Sequence, residues 1–253
     1  MQEIAIVGGG NLAWHLGTVL QRIGKQVTIL RRSPKRGEWP LPVAGYSWLD
    51  TYAPDLVFLA VPDDAIYMVS ALLRAYLPPN TPIVHTSGAT PISRIDGYFQ
   101  QRGAFWPIRS LRQGEEVGDW QNLPLVYFGE TEALTQVLGE VASELSLLTY
   151  SLNDEQRAQL HLSAVFSNNF VTWLYQISHE LCTDKGIPFE TLLPIIRNTA
   201  LKQDGTAPRL TQTGAAARGD QETMKRHLSL LKGRSEYEAI YREFSRMIQE
   251  GTS

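Results

Sequence analysis

The sequence predicts an α/β protein: a doubly wound parallel sheet in residues 1–152, followed by an all-helical domain in residues 153–253. Three observations carry this. Short apolar runs alternate with helical patterns through the first half. A glycine turn joins the first strand to the first helix, and strand signals stop at Asn153.

The first apolar run, Ile4-Ala5-Ile6-Val7, is stopped by Gly8-Gly9-Gly10. A helix follows, with Leu12, Leu16, Val19, Leu20 and Ile23 on one face and Gly24 placed to end it. Gly8, Gly10 and Ala13 fill the pattern G-x-G-x-x-G/A. In a Rossmann-type sheet the first glycine makes the tight turn and the second lets backbone approach a pyrophosphate. The small third residue brings the helix close to the strand, and the N–H groups of Asn11, Leu12 and Ala13 face the phosphates. Taken alone, the turn also reads as an ordinary βα connection.

Lys25 to Leu30 reads as the second strand, which ends near the adenosine ribose in such a fold. An acid there would hold the 2′-hydroxyl of NAD. The chain offers Arg31-Arg32-Ser33 instead, two guanidiniums and a hydroxyl suited to a 2′-phosphate, so the expected cofactor is NADP(H). A weak strand is expected from Val43 to Trp48 and a continuous apolar one from Asp55 to Pro62, as in a parallel strand buried on both faces. A helix from Ala65 to Tyr76 precedes a strand from Pro82 to Thr86. Gly103–Ile108, Leu123–Gly129 and Leu147–Leu152 read as shorter strands, with a helix from Glu130 to Glu144 before the last.

Ligands of such sheets lie beyond the carboxyl ends of the strands. This selects Gly8 to Ala13, Arg31 to Ser33, Val61-Pro62 and Thr86-Ser87-Gly88 as one crevice, with Ser87 facing the nicotinamide end and His85 buried in its strand. In the second half, one long helix is expected over 154–185. At 100° per residue its apolar stripe is Leu162, Phe166, Phe170, Trp173, Ile177 and Leu181. His161, Asn168 and Thr172 lie roughly opposite, with Asn169 at the boundary. Helices over 192–202, 221–232 (Asp220 as N-cap) and 235–250 (Ser235 and Glu238 as capping box) complete the chain. Substrate is expected between the two halves.

Apolar residues make up 43% of the 253 and charged residues 19%, an ordinary globular balance. A net charge of −3 provides no basic field for nucleic acid and no polybasic membrane anchor. Cys182 is the only cysteine, which excludes an internal disulfide or a multi-cysteine metal site. No metal site is expected. With no signal-peptide pattern and no apolar run near the roughly 18 residues of a membrane helix, a soluble, cytoplasmic protein is expected.

The segments VGGGNLAWHL, PDLVFLAVPDDAI, VHTSGA, WPIRSL, HLSAVFSNNF, LLPIIRNTA and TGAAARGD together resemble the β-hydroxyacid-dehydrogenase-like superfamily of NADP-dependent reductases. Pyrroline-5-carboxylate reductase, ketopantoate reductase and coenzyme-F420-dependent NADP reductase are among its members. More closely, the chain is similar to the Rossmann-like plus DUF2520 family. The resemblance implies NADPH on the first domain, a helical second domain that forms a homodimer, and hydride transfer to a C=O or C=N bond. Hydroxyacid members carry K-x-x-N-N on the long helix, with the lysine as proton donor. Placed on Asn168-Asn169, that pattern puts Val165 at the lysine position.

His161, one turn earlier on the same face, is the substitute acid, and Asn168 or Asn169 would orient substrate. The bland alternative is a solvated helix face. Arg109, at a strand end, and Arg218, before a helix start, are candidates for a substrate carboxylate. His227 reads as structural. The expected activity is reduction of a small carboxylate-bearing oxo or cyclic imino compound by NADPH. A non-catalytic NADP-binding sensor or regulatory protein is the alternative, which the missing lysine favours. A structural module without nucleotide is the third reading.

Overall fold

The computed structural model describes residues 2–33, 39–111, 119–203 and 205–252, in two compact units, Met1–Phe166 and Ser167–Ser253. The division falls beyond the expected 152/153 boundary, because the helix that follows Asn153 begins as part of the first unit.

The first unit is built on an eight-stranded sheet. In chain order its elements are β1 (Glu3–Val7), α1 (Asn11–Arg22), β2 (Gln26–Leu30), β3 (Val43–Ala44), β4 (Leu56–Leu59), α2 (Ile66–Leu73), β5 (Ile83–His85), β6 (Arg102–Pro107), β7 (Leu125–Gly129), α3 (Glu132–Leu145), β8 (Thr149–Ser151) and α4 (Asp154–Ala164). The strand order is β3-β2-β1-β4-β5-β6-β7-β8, doubly wound outward from β1 and β4. All neighbours run parallel except β6 and β7. Sequence pattern misses that reversal, since a buried strand reads alike in either direction. The expected strand at 43–48 shortens to two residues, and Tyr46–Asp50 forms a 3-10 turn.

Side chains of successive strand residues point to opposite faces, and the sheet is covered on both. Ile4, Ile6, Phe58, Val84 and Phe105 pack beneath α1 and α3. Ala5, Val7, Val57, Leu59 and Ile83 pack against α2. Helix α1 approaches the sheet closely at Ala13, which is fully buried, and at Gly17, where a Cβ would come within 2.5 Å of Leu41 Cδ1. Gly17, not only the third fingerprint position, sets that packing distance.

The second unit contains α5 (Val171–Thr183), α6 (Leu193–Leu201), α7 (Gln221–Leu230) and α8 (Ser235–Thr252). The helix expected over 154–185 is not uniform: a π-helical segment, Val165–Phe170, separates α4 from α5. Wider turns there break the 100° phase on which the apolar stripe was drawn. Of that stripe Ile177 is buried, Leu181 is half-buried, and Leu162, Phe166, Phe170 and Trp173 are exposed in this chain.

One cap also differs from expectation. The first helical bond of α8 runs from Glu238 N–H to the Arg234 carbonyl, so Ser235 is the first helical residue and not the cap. The observed capping box is Asn153 with Gln156, at the start of α4. Asp220 caps α7 as expected, accepting from Thr223 N–H at 3.0 Å.

Candidate active site

The carboxyl ends of β1, β4 and β5 open into a crevice of about 500 Å³, lined by Gly8 to Leu12, Ala60 to Asp63, Thr86 and Ser87. Its three glycines serve different ends. At Gly8, with φ +146°, a Cβ would lie 2.1 Å from the Ala60 carbonyl oxygen, so the turn closes only with glycine. At Gly9 the near neighbour is the Arg31 side chain. At Gly10 the φ of −91° suits any residue and a Cβ would meet nothing within 4 Å. Gly10 therefore leaves room that the protein itself does not fill. It is also the N-cap of α1, with no side-chain cap and no acid in the first turn. The helix N-terminus thus offers free N–H donors beside an open cradle, a match for a pyrophosphate.

A second pocket continues past Gly8 and Gly9 to Leu30, Arg31, Arg32, Ser33 and Tyr46, with Val61, Pro62, Ala65 and Val69. The Arg31 guanidinium lies over the Trp39 ring at 5.6 Å. Arg32 lies near enough to Tyr46 to oppose the upward push that burial gives its phenol. Among the described residues neither arginine pairs with a carboxylate, which leaves two cations at the strand end where a 2′-phosphate would sit.

At the other end, Ser87 is a hub. Its Oγ donates to Asp63 Oδ2 at 2.8 Å and accepts the N–H groups of Ala89 and Thr90 at 3.2 and 2.9 Å. A hydroxyl has one donor and two acceptor positions, so Ser87 is fully engaged in shaping the loop. Asp63, which sequence reading passed over as the end of a strand, holds it there. His85 is buried as expected. Burial first, and then the nearby Arg157 guanidinium, push its pKa down to about 4. Its Nδ1 accepts Ser87 N–H at 3.2 Å.

His161, on α4, comes to this same corner. A Cβ on Gly88 would lie 2.6 Å from both His161 Cδ2 and Trp106 Cε2, so both rings rest on the glycine. The two ring centroids are 5.5 Å apart. The Ser87-Gly88 loop thus adjoins the crevice at Ser87 and carries an imidazole at Gly88. Sequence spacing could not place His161 beside a strand end more than 70 residues earlier; the glycine at 88 was the available signal.

Arg109 is exposed just past β6, on the carboxyl side of the sheet. Its loop is tied to the start of α1, because Asn11 Nδ2 donates to the Leu111 carbonyl at 2.9 Å. Arg218 is exposed in the second unit. The helix start beside it, expected to favour an anion, is already occupied by the Asp220 carboxylate. Asn168 and Asn169 lie in the π-helical segment, exposed, and Val165 is half-buried. His227 Nδ1 is 2.8 Å from the Tyr241 hydroxyl, a structural pairing. Among the described residues no three His, Cys, Asp or Glu groups cluster as a metal site. No described helix is long and apolar enough to cross a membrane.

With this geometry established, comparison with known proteins adds a family. Residues 125–248 match the family model described as a domain of unknown function, DUF2520. Over that stretch, just under half of its length, the chain is similar to this family. Residues 3–38, the strand, glycine turn, helix and second strand, match the model for pyridine nucleotide-disulphide oxidoreductases.

Among solved structures, a Bacteroides fragilis protein assigned as an NADP oxidoreductase is 28% identical over 98% of both chains, with a TM-score of 0.86. A Thermotoga maritima protein, TM1727, is 20% identical over 98% of both, with a TM-score of 0.74. An imine reductase from Myxococcus stipitatus, solved with NADP+, is 16% identical over 98% of this chain and 93% of its own, with a TM-score of 0.72. The latter two likenesses are of fold. No curated protein matches this chain.

Proposed function

We propose that this protein is an NADP(H)-dependent oxidoreductase that reduces a small carboxylate-bearing oxo or cyclic imino compound. One observation carries the reading. A single crevice has an unfilled phosphate cradle at Gly10 at one end and, at the other, a loop on which the His161 imidazole is seated. The similarity to an assigned NADP oxidoreductase supports the same class. NADPH would supply the hydride. Gly8, Gly10, Asn11, Leu12 and Ala13 would hold its pyrophosphate, Arg31, Arg32 and Ser33 its 2′-phosphate, and Val61 and Pro62 would line its path.

His161, as the imidazolium, would give a proton to the oxygen or nitrogen that gains negative charge as hydride arrives. Acid catalysis of this kind contributes about 10²- to 10⁴-fold. Ser87 supports the corner without supplying a proton, since its only O–H is already given to Asp63. Arg109, on the loop tied to α1, would bind the substrate carboxylate. For Asn168, Asn169 and Arg218 the proposed contact with substrate rests on the sequence pattern, and a raised KM in each alanine variant tests it.

The test is NADPH oxidation against panels of 2-oxo acids and cyclic imines. Turnover should fall at least 100-fold in His161→Ala with NADPH affinity unchanged. Val165 at the position of the usual lysine favours a second reading, a nucleotide-binding regulatory protein. Tight NADPH binding with no turnover on any panel member would select it.

The proposed assembly is a homodimer through the helical unit. There Phe170, Trp173, Ile195, Leu201, Leu210 and Leu230 are all exposed, an apolar surface of the kind that obligate interfaces cover. Light scattering at micromolar concentration should give twice the chain mass of 28.3 kDa. The proposed setting is the reducing cytoplasm, in keeping with a single free thiol at Cys182.

A further inference from the structure

Three buried side-chain nitrogens have no hydrogen-bond partner among the described residues, and they belong to two neighbours, His85 Nε2 and Arg157 Nε and Nη1. Among the described residues Arg157 is the largest fully buried side chain. Its remaining nitrogen, Nη2, donates to the Thr90 carbonyl and to Asp154 Oδ1 at 2.7 Å. Asp154 in turn accepts Ile92 N–H on its other oxygen at 2.9 Å. The first turn of α4 thus grips the loop at residues 90 and 92, while Ser87 grips it at Ala89 and Thr90.

This is an expensive way to fasten a loop. A buried guanidinium with two unmet nitrogens loses hydration that one partly exposed carboxylate does not replace, and replacing such a pair as a whole by apolar side chains of similar volume is often neutral or stabilising. Stability therefore does not explain the residue, but its position does. His161 lies one helical turn, four residues, beyond Arg157, and its ring rests on Gly88, two residues before the carbonyl that Arg157 holds.

We propose that Arg157 is a positioning residue that locks α4 to the Ser87–Ile92 loop, so that the His161 ring stays seated on Gly88 against Trp106. The consequence for turnover rests on the reading of His161 as proton donor, whereas the geometric claim does not.

The test separates the two. In histidine-labelled protein the His161 ring protons should carry a ring-current shift from Trp106, assigned by its absence in His161→Ala. In Arg157→Met that shift should collapse, with the fold retained by circular dichroism and NADPH affinity within about twofold. Turnover of a 2-oxo acid or cyclic imine should fall about 10- to 100-fold in kcat, as expected for a misplaced group, and Arg157→Lys should recover part of it. An unchanged His161 shift in folded Arg157→Met overturns the proposal. So does a fall in melting temperature that accounts for the lost activity while the shift persists. A collapsed shift with turnover intact in both Arg157→Met and His161→Ala upholds the positioning and overturns the donor reading. Should Arg157→Met fail to fold, Asp154→Asn, which retains volume and weakens the same pairing, carries the same measurement.

Discussion

The two units differ in where their apolar surface goes. In the sheet unit nearly every residue of β1, β4 and β5 is fully buried, and the cores on its two faces are closed by the unit's own helices. In the helical unit Ile177 and Leu231 are the only buried apolar residues among those described, while Trp173, Leu201, Leu210, Leu230 and Met247 are each more than half exposed. Burial contributes roughly 25 cal/mol per Å² of apolar surface. A unit that buries so little in one chain gains little stability from that chain alone. The first unit closes its own cores beside a crevice, whereas the second leaves much of its apolar surface exposed.

Breaking each region should therefore have different consequences. The largest effect is expected at Gly8: Gly8→Val drives a Cβ into the Ala60 carbonyl at a positive φ. That should cost about 3 kcal/mol or more by denaturant unfolding and abolish nucleotide binding.

Next comes acid sensitivity of the sheet unit. The His85 pKa lies near 4 in the folded chain against about 6.5 unfolded, so the unfolded state binds the extra proton. The sign follows: the stabilisation from keeping His85 neutral is complete above about pH 6.5 and is lost as pH falls towards 4, a change of about 3 kcal/mol. His85→Asn can still accept Ser87 N–H, and it should flatten the stability profile across that window. An unaltered profile would mean that other groups govern acid unfolding.

Smaller and confined to the helical unit, Trp173→Asp should weaken the proposed dimer by about 2 kcal/mol, roughly 30-fold in dissociation constant. Light scattering across a dilution series reads this, and NADPH affinity should be untouched. At the cofactor's adenosine end, Arg31→Ala or Arg32→Ala should each raise the Kd for NADPH about tenfold while leaving NADH unaffected.

The smallest effect on stability should be at Gly10→Ala, within about 0.5 kcal/mol, because a Cβ there meets nothing. NADPH affinity should nevertheless fall sharply. A matched pair at Gly8 and Gly10, one reporting folding and the other ligand, is the sharpest test that the turn is a cradle and not a connection.

The sequence by itself determined the centre of the sheet unit, though not the reversal between β6 and β7, because local chemistry does so there. Continuous apolar runs, a glycine stop and a helical period leave few other ways to bury β1, β4 and β5, and the Arg31-Arg32-Ser33 triplet follows the turn at a fixed spacing. The helical unit was legible only in part. Helix starts such as Asp220 declare themselves through capping chemistry. The apolar stripe drawn at 100° per residue did not survive, because the π-helical segment at Val165–Phe170 changes the phase and no local pattern announces it.

Only the tertiary structure decided which side chains share the end of β5. It seated His161 on Gly88, filled every hydrogen-bonding position of Ser87, buried Arg157 against the Thr90 carbonyl, and left Gly10 facing open space. The contacts of His161 with Gly88, of Ser87 with Asp63 and of Arg157 with Thr90 each join segments more than 20 residues apart. Sequence periodicity records which way a residue faces, whereas packing decides what it meets.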